Sequence, residues 1–175
     1  YYLNTDTKIL CEYVLRPYLR QMTGESFIID SEKKMSFTRE QLVEVLTYIK
    51  DCYDGGVFEP AEDSATFKGQ IHTNPKWMDG KFVFAYGPSS SINLLMDAVP
   101  EAECTVVQIP MAEDRVNDGF FADTPQYMTV NKNSEHVEEA VDFLNYFYNN
   151  AEAQETLKDV RSIPPTSTAR QLCAD

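Results

Sequence analysis

A mixed α/β chain is what this sequence predicts, and three stretches predict it. Between Trp77 and Pro100 (WMDGKFVFAYGPSSSINLLMDAVP) a helix end, an apolar run, a polar loop and a second helix follow without padding. Another apolar run spans Cys104 to Ile109, and from Val137 to Phe147 apolar side chains recur at helical spacing. Short continuous apolar runs read as buried strands, and a 3.6-residue period reads as a helix with one face covered. Strands alternating with helices give the α/β class.

Composition limits what such a chain can do. With 175 residues and 43% hydrophobic content it can bury a core, as one ordinary domain or as pieces of two. Twenty-eight acidic against fifteen basic residues leave a net charge of −13, which repels phosphate backbones and anionic membrane surfaces. Nucleic acid is therefore not an expected partner. No apolar run reaches the length of a bilayer span, and the opening Tyr1-Tyr2-Leu3-Asn4 has neither a charged nor an apolar leader region, so any export signal is expected to have been removed. Cys11, Cys52, Cys104 and Cys173 stand far apart with no CxxC spacing, which favours neither a zinc site nor a dense disulfide framework. His72 and His136 lack nearby acidic ligands at metal spacing, so neither metal nor cofactor is expected.

Asp6 is placed to cap a first helix carrying Ile9, Leu10, Tyr13 and Val14, interrupted by Pro17 and ended by Gly24. Its expected role is scaffold. Phe27 to Asp30 and Met35 to Phe37 read as a strand pair around a polar turn. Thr38 and Gln41 form a capping box, with Phe37 and Leu42 at the staple positions, and Leu42, Val45, Leu46, Ile49 and Tyr53 share the apolar face of the helix. Gly55-Gly56 stops that helix, and the acidic tract Val57 to Ser64 reads as a solvated connection. Asn74-Pro75 opens the segment that leads to Trp77, which Asp79-Gly80 closes.

In the central stretch, Lys81 to Tyr86 reads as a strand covered on both faces. Gly87-Pro88 breaks it, and one of Ser89, Ser90 and Ser91 is expected to cap the helix of Ile92, Leu95, Met96 and Val99. Backbone amides and hydroxyls converge there, which suits a polar or hydroxylated ligand. After the strand at Cys104 to Ile109, residues 110 to 126 have no periodicity, and irregular tracts of that length are usually functional or disordered. Phe120 and Phe121 point to function, since two adjacent phenylalanines left in water are costly. Tyr127 to Val130 reads as a further strand; Asn133 or Ser134 caps the amphipathic helix of Val137, Ala140, Val141, Leu144 and Phe147. A short helix near Ala151 to Asp159, Ile163-Pro164-Pro165, and a terminal segment begun by Ser167 or Thr168 complete the chain.

This order of elements resembles the extracellular solute-binding proteins of ABC importers, and within them the carbohydrate-binding group called family 1, similar to maltose-binding protein. The residues that carry the resemblance are Asp79-Gly80-Lys81 with Phe82 to Gly87, Val107 to Pro110, Asn133 to Phe147 with Ala153-Gln154, and Ile163-Pro164-Pro165. It implies a periplasmic-binding-protein-like type II α/β fold, here partial: a mostly helical second lobe plus crossing segments, since family members are about twice this long. The implied organisation is a second-lobe segment at residues 1–110, a crossing and ligand-loop segment at 111–130, and a helical segment at 131–175. The implied function is non-enzymatic: binding a sugar or oligosaccharide in a cleft and delivering it to the permease membrane subunits of an ABC transporter. The implied location is extracellular or periplasmic, with a lipoprotein anchor on the full-length protein. A lone lobe is also expected to self-associate through the surfaces its partner lobe would cover.

The candidate ligand-binding residues are Trp77, Tyr86, Gly87, Ser89, Ser90, Phe120, Phe121 and Asp123, and each has a plainer reading. Burial is the commoner fate of a large aromatic such as Trp77, whereas Tyr86, at a strand end beside Gly87, is balanced between packing and ligand contact. Ser89 and Ser90 can serve as helix caps alone. Of Phe120 and Phe121, one is expected to pack and one to face the cleft. Asp123 can accept sugar hydroxyls, though loop carboxylates usually stay solvated. Ser89 stands where the family often places a stacking aromatic, so stacking would fall to Tyr86, Phe120, Phe121 or the absent lobe. A competing hydrolase reading rests on Gly87-Pro88-Ser89-Ser90-Ser91, but a nucleophile elbow needs glycine at position 91 and His136 is the only downstream histidine. A non-catalytic protein-interaction domain would explain the acidity and the helices but not the polar loop.

Overall fold

The structure is a computed structural model that describes residues 1–29, 31–120, 127–158 and 166–172. The chain divides into two compact units, Tyr1–Gly87 with Leu94–Ala122, and Pro88–Asn93 with Asp123–Asp175.

The first unit opens with strand β1 (Leu3–Asn4) and helix α1 (Thr7–Leu10). Asp6 caps α1 as its sequence position predicts, accepting from the amides of Lys8 at 2.7 Å and Ile9 at 2.9 Å. Pro17 does not interrupt the helix. Proline in an α-helix lacks one donor and clashes with the carbonyl one turn back; here Cys11–Leu15 forms a π-helical turn, with the Arg16 amide donating to the Cys11 carbonyl, and the chain runs on as α2 (Arg16–Thr23). Gly24 then ends it in the left-handed conformation, φ 78°. Strands β2 (Ile28–Ile29) and β3 (Lys34–Met35) pair antiparallel, in agreement with the expected strand pair. Helix α3 (Arg39–Asp54) carries the complete capping box of Thr38 and Gln41. Its face differs from the expected stripe at one position: Val45 is fully buried, but Leu46 remains 47% exposed.

The acidic tract after α3 is not a solvated connection. Phe58 enters the core and Glu59 is 1% exposed. The Glu59 carboxylate accepts from Asn74 Nδ2 at 2.6 Å and from Lys76 Nζ at 2.7 Å, and a charge so buried persists because it is paired and hydrogen-bonded. Helices α4 (Ala61–Ser64) and α5 (Pro75–Met78) flank this cluster, and Asn74 also caps α5 through the Lys76 amide.

Strand β4 (Phe84–Ala85) pairs parallel with β1, in the register Leu3 to Phe84 and Asn4 to Ala85. The expected strand is longer and covered on both faces. Instead Val83 and Phe84 stay 63% and 52% exposed, because β1 is its one described neighbour and the apolar face beyond it is bare. Likewise Cys104 to Ile109 forms no strand: among the described residues no neighbour supplies a hydrogen-bond ladder, and Val106 and Val107 are exposed. The unit's core is two clusters: Ile9, Ile71, Trp77, Phe82, Leu95 and Val99; and Leu3, Leu10, Val14 and Phe58. Tyr86 packs against both.

In the second unit, Ser89–Ser91 forms a 3-10 turn that starts at Pro88 without a side-chain cap and leads into α6 (Ile92–Asp97), whose residues from Leu94 onward belong to the first unit. Residues 127–130 form no strand. Helix α7 (Val137–Asn149) begins later than Asn133 or Ser134 would start it: Ser134 Oγ accepts from the His136 amide in a preceding turn, and His136 itself stands at the cap. Asn150 caps α8 (Ala151–Leu157), and α9 (Ser167–Leu172) packs with both. Ala153 and Ala169 are buried among these helices, whereas Val141, Phe143 and Tyr146 of α7 remain about half exposed.

Candidate functional site

The first unit holds a cleft of about 310 Å³ walled by four tyrosines: Tyr13, Tyr18, Tyr48 and Tyr86. Tyr13 comes from the π-helical turn and Tyr18 from α2, with Val14, Pro17 and Gln21 on the same stripe. Tyr48 comes from α3 and Tyr86 from the residue after β4; the irregular segment Ile109 to Glu113 closes the remaining side. The rings of Tyr18 and Tyr48 lie parallel, 5.3 Å apart at an interplanar angle of 3°. Such a wall offers flat apolar faces with hydroxyls at their edges, the arrangement that suits amphipathic ligands.

Gln21 builds the segment opposite the tyrosines. Only 1% exposed, it donates from Nε2 to the carbonyls of Pro110 at 3.0 Å and Asp118 at 3.2 Å, and its Oε1 accepts from the Ala112 amide at 2.9 Å. Its own carbonyl accepts from the Val116 amide at 2.7 Å. One side chain thus satisfies three backbone groups of a loop that has no secondary structure to satisfy them. Gly119 seals the attachment at φ +77°, where a Cβ would stand 2.7 Å from the Pro17 carbonyl and 2.8 Å from Gln21 Cγ.

The tyrosines are held neutral. Burial pushes Tyr86 and Tyr48 up to about 12, in Tyr48 with support from its hydrogen bond to the Cys52 thiol. Burial also raises Tyr13, with Glu12 adding to it, and raises Tyr18, with the nearby carboxylates of Glu44 and Asp114 adding to it. At neutral pH all four therefore present O–H donors that can also accept.

Of the residues singled out in the sequence, Tyr86 lines this cleft, and the irregular tract that begins at Pro110 supplies its rim. Trp77 lies in the core, 9% exposed, with its Nε1 donating to the Leu95 carbonyl at 3.0 Å. Gly87 is exposed in the first unit, and Ser89 and Ser90 are exposed in the turn of the second. Phe120 is 50% exposed, its amide bound to Asp118 Oδ1 at 2.9 Å. Phe121 and Asp123 lie outside the described residues. Sequence reasoning misses Tyr13, Tyr18, Gln21, Tyr48 and Glu113 as site residues. A signal for the first three exists: positions 13, 14, 17, 18 and 21 form a single helical stripe rich in groups that both pack and hydrogen-bond.

A second depression, about 390 Å³, lies in the second unit among Met128, Val130, Asn131, Ser134, Phe143 and Leu144. It is larger and carries three polar side chains, Thr129, Asn131 and Ser134, but one aromatic ring, Phe143, against the four of the tyrosine cleft. Among the described residues no group of three or more histidine, cysteine, aspartate or glutamate side chains is placed to hold a metal ion. Cys11, Cys52 and Cys104 are free thiols, and no described helix is long and apolar enough to cross a membrane.

The family model of the bacterial extracellular solute-binding proteins matches residues 18–174. The chain belongs to that family. Comparison with curated proteins and with solved structures gave no match. The family gives a transporter's substrate-binding role, a periplasmic-binding-protein-like fold and an extracellular or periplasmic place. Its members are generally not enzymes. In a solute-binding protein, a cleft walled by four neutral tyrosines and braced by a buried glutamine is the natural candidate for the solute site.

Proposed function

We propose that this protein is the substrate-binding component of an ABC importer and that it takes a sugar or oligosaccharide against the tyrosine cleft for delivery to membrane permease subunits. The observation that carries the reading is the cleft itself. Tyr18 and Tyr48, stacked on each other, leave outer ring surfaces and edges for apolar contact beside Tyr13 and Tyr86, and four neutral hydroxyls with the backbone of Pro110 to Glu113 offer the hydrogen bonds a polyol needs. On this reading Tyr86 is a ligand contact, and Phe120, Phe121, Asp123, Gly87, Ser89 and Ser90 stay candidate ligand contacts of the full-length protein.

The rest of the sequence-based organisation belongs to the same proposal. The type II fold is present as its second lobe, residues 111–130 form the crossing segment, and the full-length protein carries a lipid anchor. The half-exposed Val141, Phe143 and Tyr146 on α7 support self-association of this chain by itself. Sedimentation should then show a mass above 20.0 kDa that falls on dilution; a monomer at all concentrations removes that part. The binding reading is tested by titrating the chain with a panel of mono- and disaccharides and repeating the best with Tyr48→Ala. Loss of binding in the variant at unchanged melting temperature is expected, and equal affinity would place the sugar elsewhere.

A further inference from the structure

Charge distinguishes this cleft from a neutral sugar site. Every ionisable side chain that lines it is tyrosine or carboxylate, with Glu113 on the wall itself, and Glu44 and Asp114 lie close enough to act on Tyr18. No lysine, arginine or histidine lines it among the described residues. Of the cations nearest in sequence, Arg16 and Arg20 are engaged away from the cleft, and Arg115 stands at its rim. Arg16 stacks on Phe27 at 5.5 Å from the ring centroid, Arg20 Nη1 donates to Ser26, and Arg115 Nη1 donates to the Ala112 carbonyl at 2.9 Å from an exposed position.

Four tyrosine faces edged by carboxylates form an environment for positive charge. The electron-rich face of each ring attracts a cation, and the attraction strengthens where water is excluded. The phenol hydroxyls are neutral at pH 7, so the rings act through their faces and the carboxylates through their field. An anionic solute, by contrast, would meet Glu44, Glu113 and Asp114 with Arg115 alone at the rim to offset them.

We infer that the solute bound in this cleft carries a positive charge, and that the class it fits is an amino sugar with a free ammonium group, its ring on the Tyr18 and Tyr48 wall and its ammonium toward Glu113 and Glu44. The inference rests on the solute-binding reading of the same cleft. It narrows that reading from carbohydrates in general to those bearing a cation.

The test is isothermal titration of the chain with glucosamine and its β-1,4 disaccharide, each against the neutral counterpart, glucose and cellobiose, with glucuronate as the anionic control. The ammonium sugars should bind about tenfold or more tighter than the neutral ones, and glucuronate weakest. The preference should shrink in 1 M salt and in a triple variant, Glu44→Gln, Glu113→Gln and Asp114→Asn, whose unchanged melting temperature shows that it folds. Neutral sugars that bind as tightly as their ammonium counterparts, and lose binding on Tyr48→Ala, overturn the charge inference while the cleft remains the site. Binding untouched by Tyr48→Ala overturns the site as well, and absence of binding by all five ligands overturns both.

Discussion

Gly119 and Gln21 show how single residues set the position of a whole loop. The loop from Pro110 to Gly119 has no helix or strand to order it, so its backbone groups depend on the Gln21 side chain. Gly119→Ala would put a Cβ at 2.7 Å from the Pro17 carbonyl in a left-handed backbone, and should cost about 2 kcal/mol or more by chemical denaturation. A loss below about 0.5 kcal/mol would show that the loop adjusts freely. Lys76→Met leaves the buried Glu59 carboxylate with Asn74 alone, and because Lys76 is partly exposed the expected cost is about 1 to 3 kcal/mol, smaller than for a fully buried pair. Little of this is legible in the sequence. The residues around Glu59 read as an acidic loop, and what buries the carboxylate are two partners fifteen and seventeen residues away.

The tyrosines also carry a prediction about pH. Tyr48 and Tyr86 have their ordinary value of 10.0 in the unfolded chain and are pushed up to about 12 in the folded one, by burial above all. The folded state therefore holds these protons more tightly. Their contribution to stability is fully present below pH 10 and is lost as pH rises from 10 to about 12. Phenylalanine cannot ionise, so the double variant Tyr48→Phe with Tyr86→Phe should lose stability less steeply across that window in melting experiments. Parallel slopes for the two proteins would mean that neither hydroxyl is withdrawn from water.

At the level of elements, the signals that proved readable were local. Asp6, Thr38 with Gln41, Asn74 and Gly24 act at the helix ends where their chemistry put them, because a cap involves only residues a few positions apart. Thr38→Ala should accordingly cost about 1 kcal/mol of folding stability and leave ligand affinity unchanged; a change in affinity at constant melting temperature would tie α3 to the site through its start. What could not be read locally was pairing. Cys104 to Ile109 and Tyr127 to Val130 have strand-like composition, yet a strand exists only where a neighbour accepts its ladder, and neither has one among the described residues. The same limit explains Pro17. Proline reads as a break, and nothing in the sequence foretells that a π-helical turn will absorb it and turn Tyr13 toward Tyr18, Tyr48 and Tyr86.

For the molecule as a whole, the solute-binding family was legible in the sequence, and its model matches residues 18–174. The cleft was legible only in Tyr86 and the Pro110 tract, because its other walls come from the π-helical turn, α2 and α3, whose tyrosines look like core residues until the helices are packed together. If the solute sits against these four tyrosines, titration of the wild-type chain and of Tyr48→Ala with the tightest-binding sugar should show a loss of about 1 to 3 kcal/mol in binding free energy, roughly five- to a hundredfold in Kd, at a melting temperature close to wild type. Unchanged affinity in a folded Tyr48→Ala protein would contradict that placement.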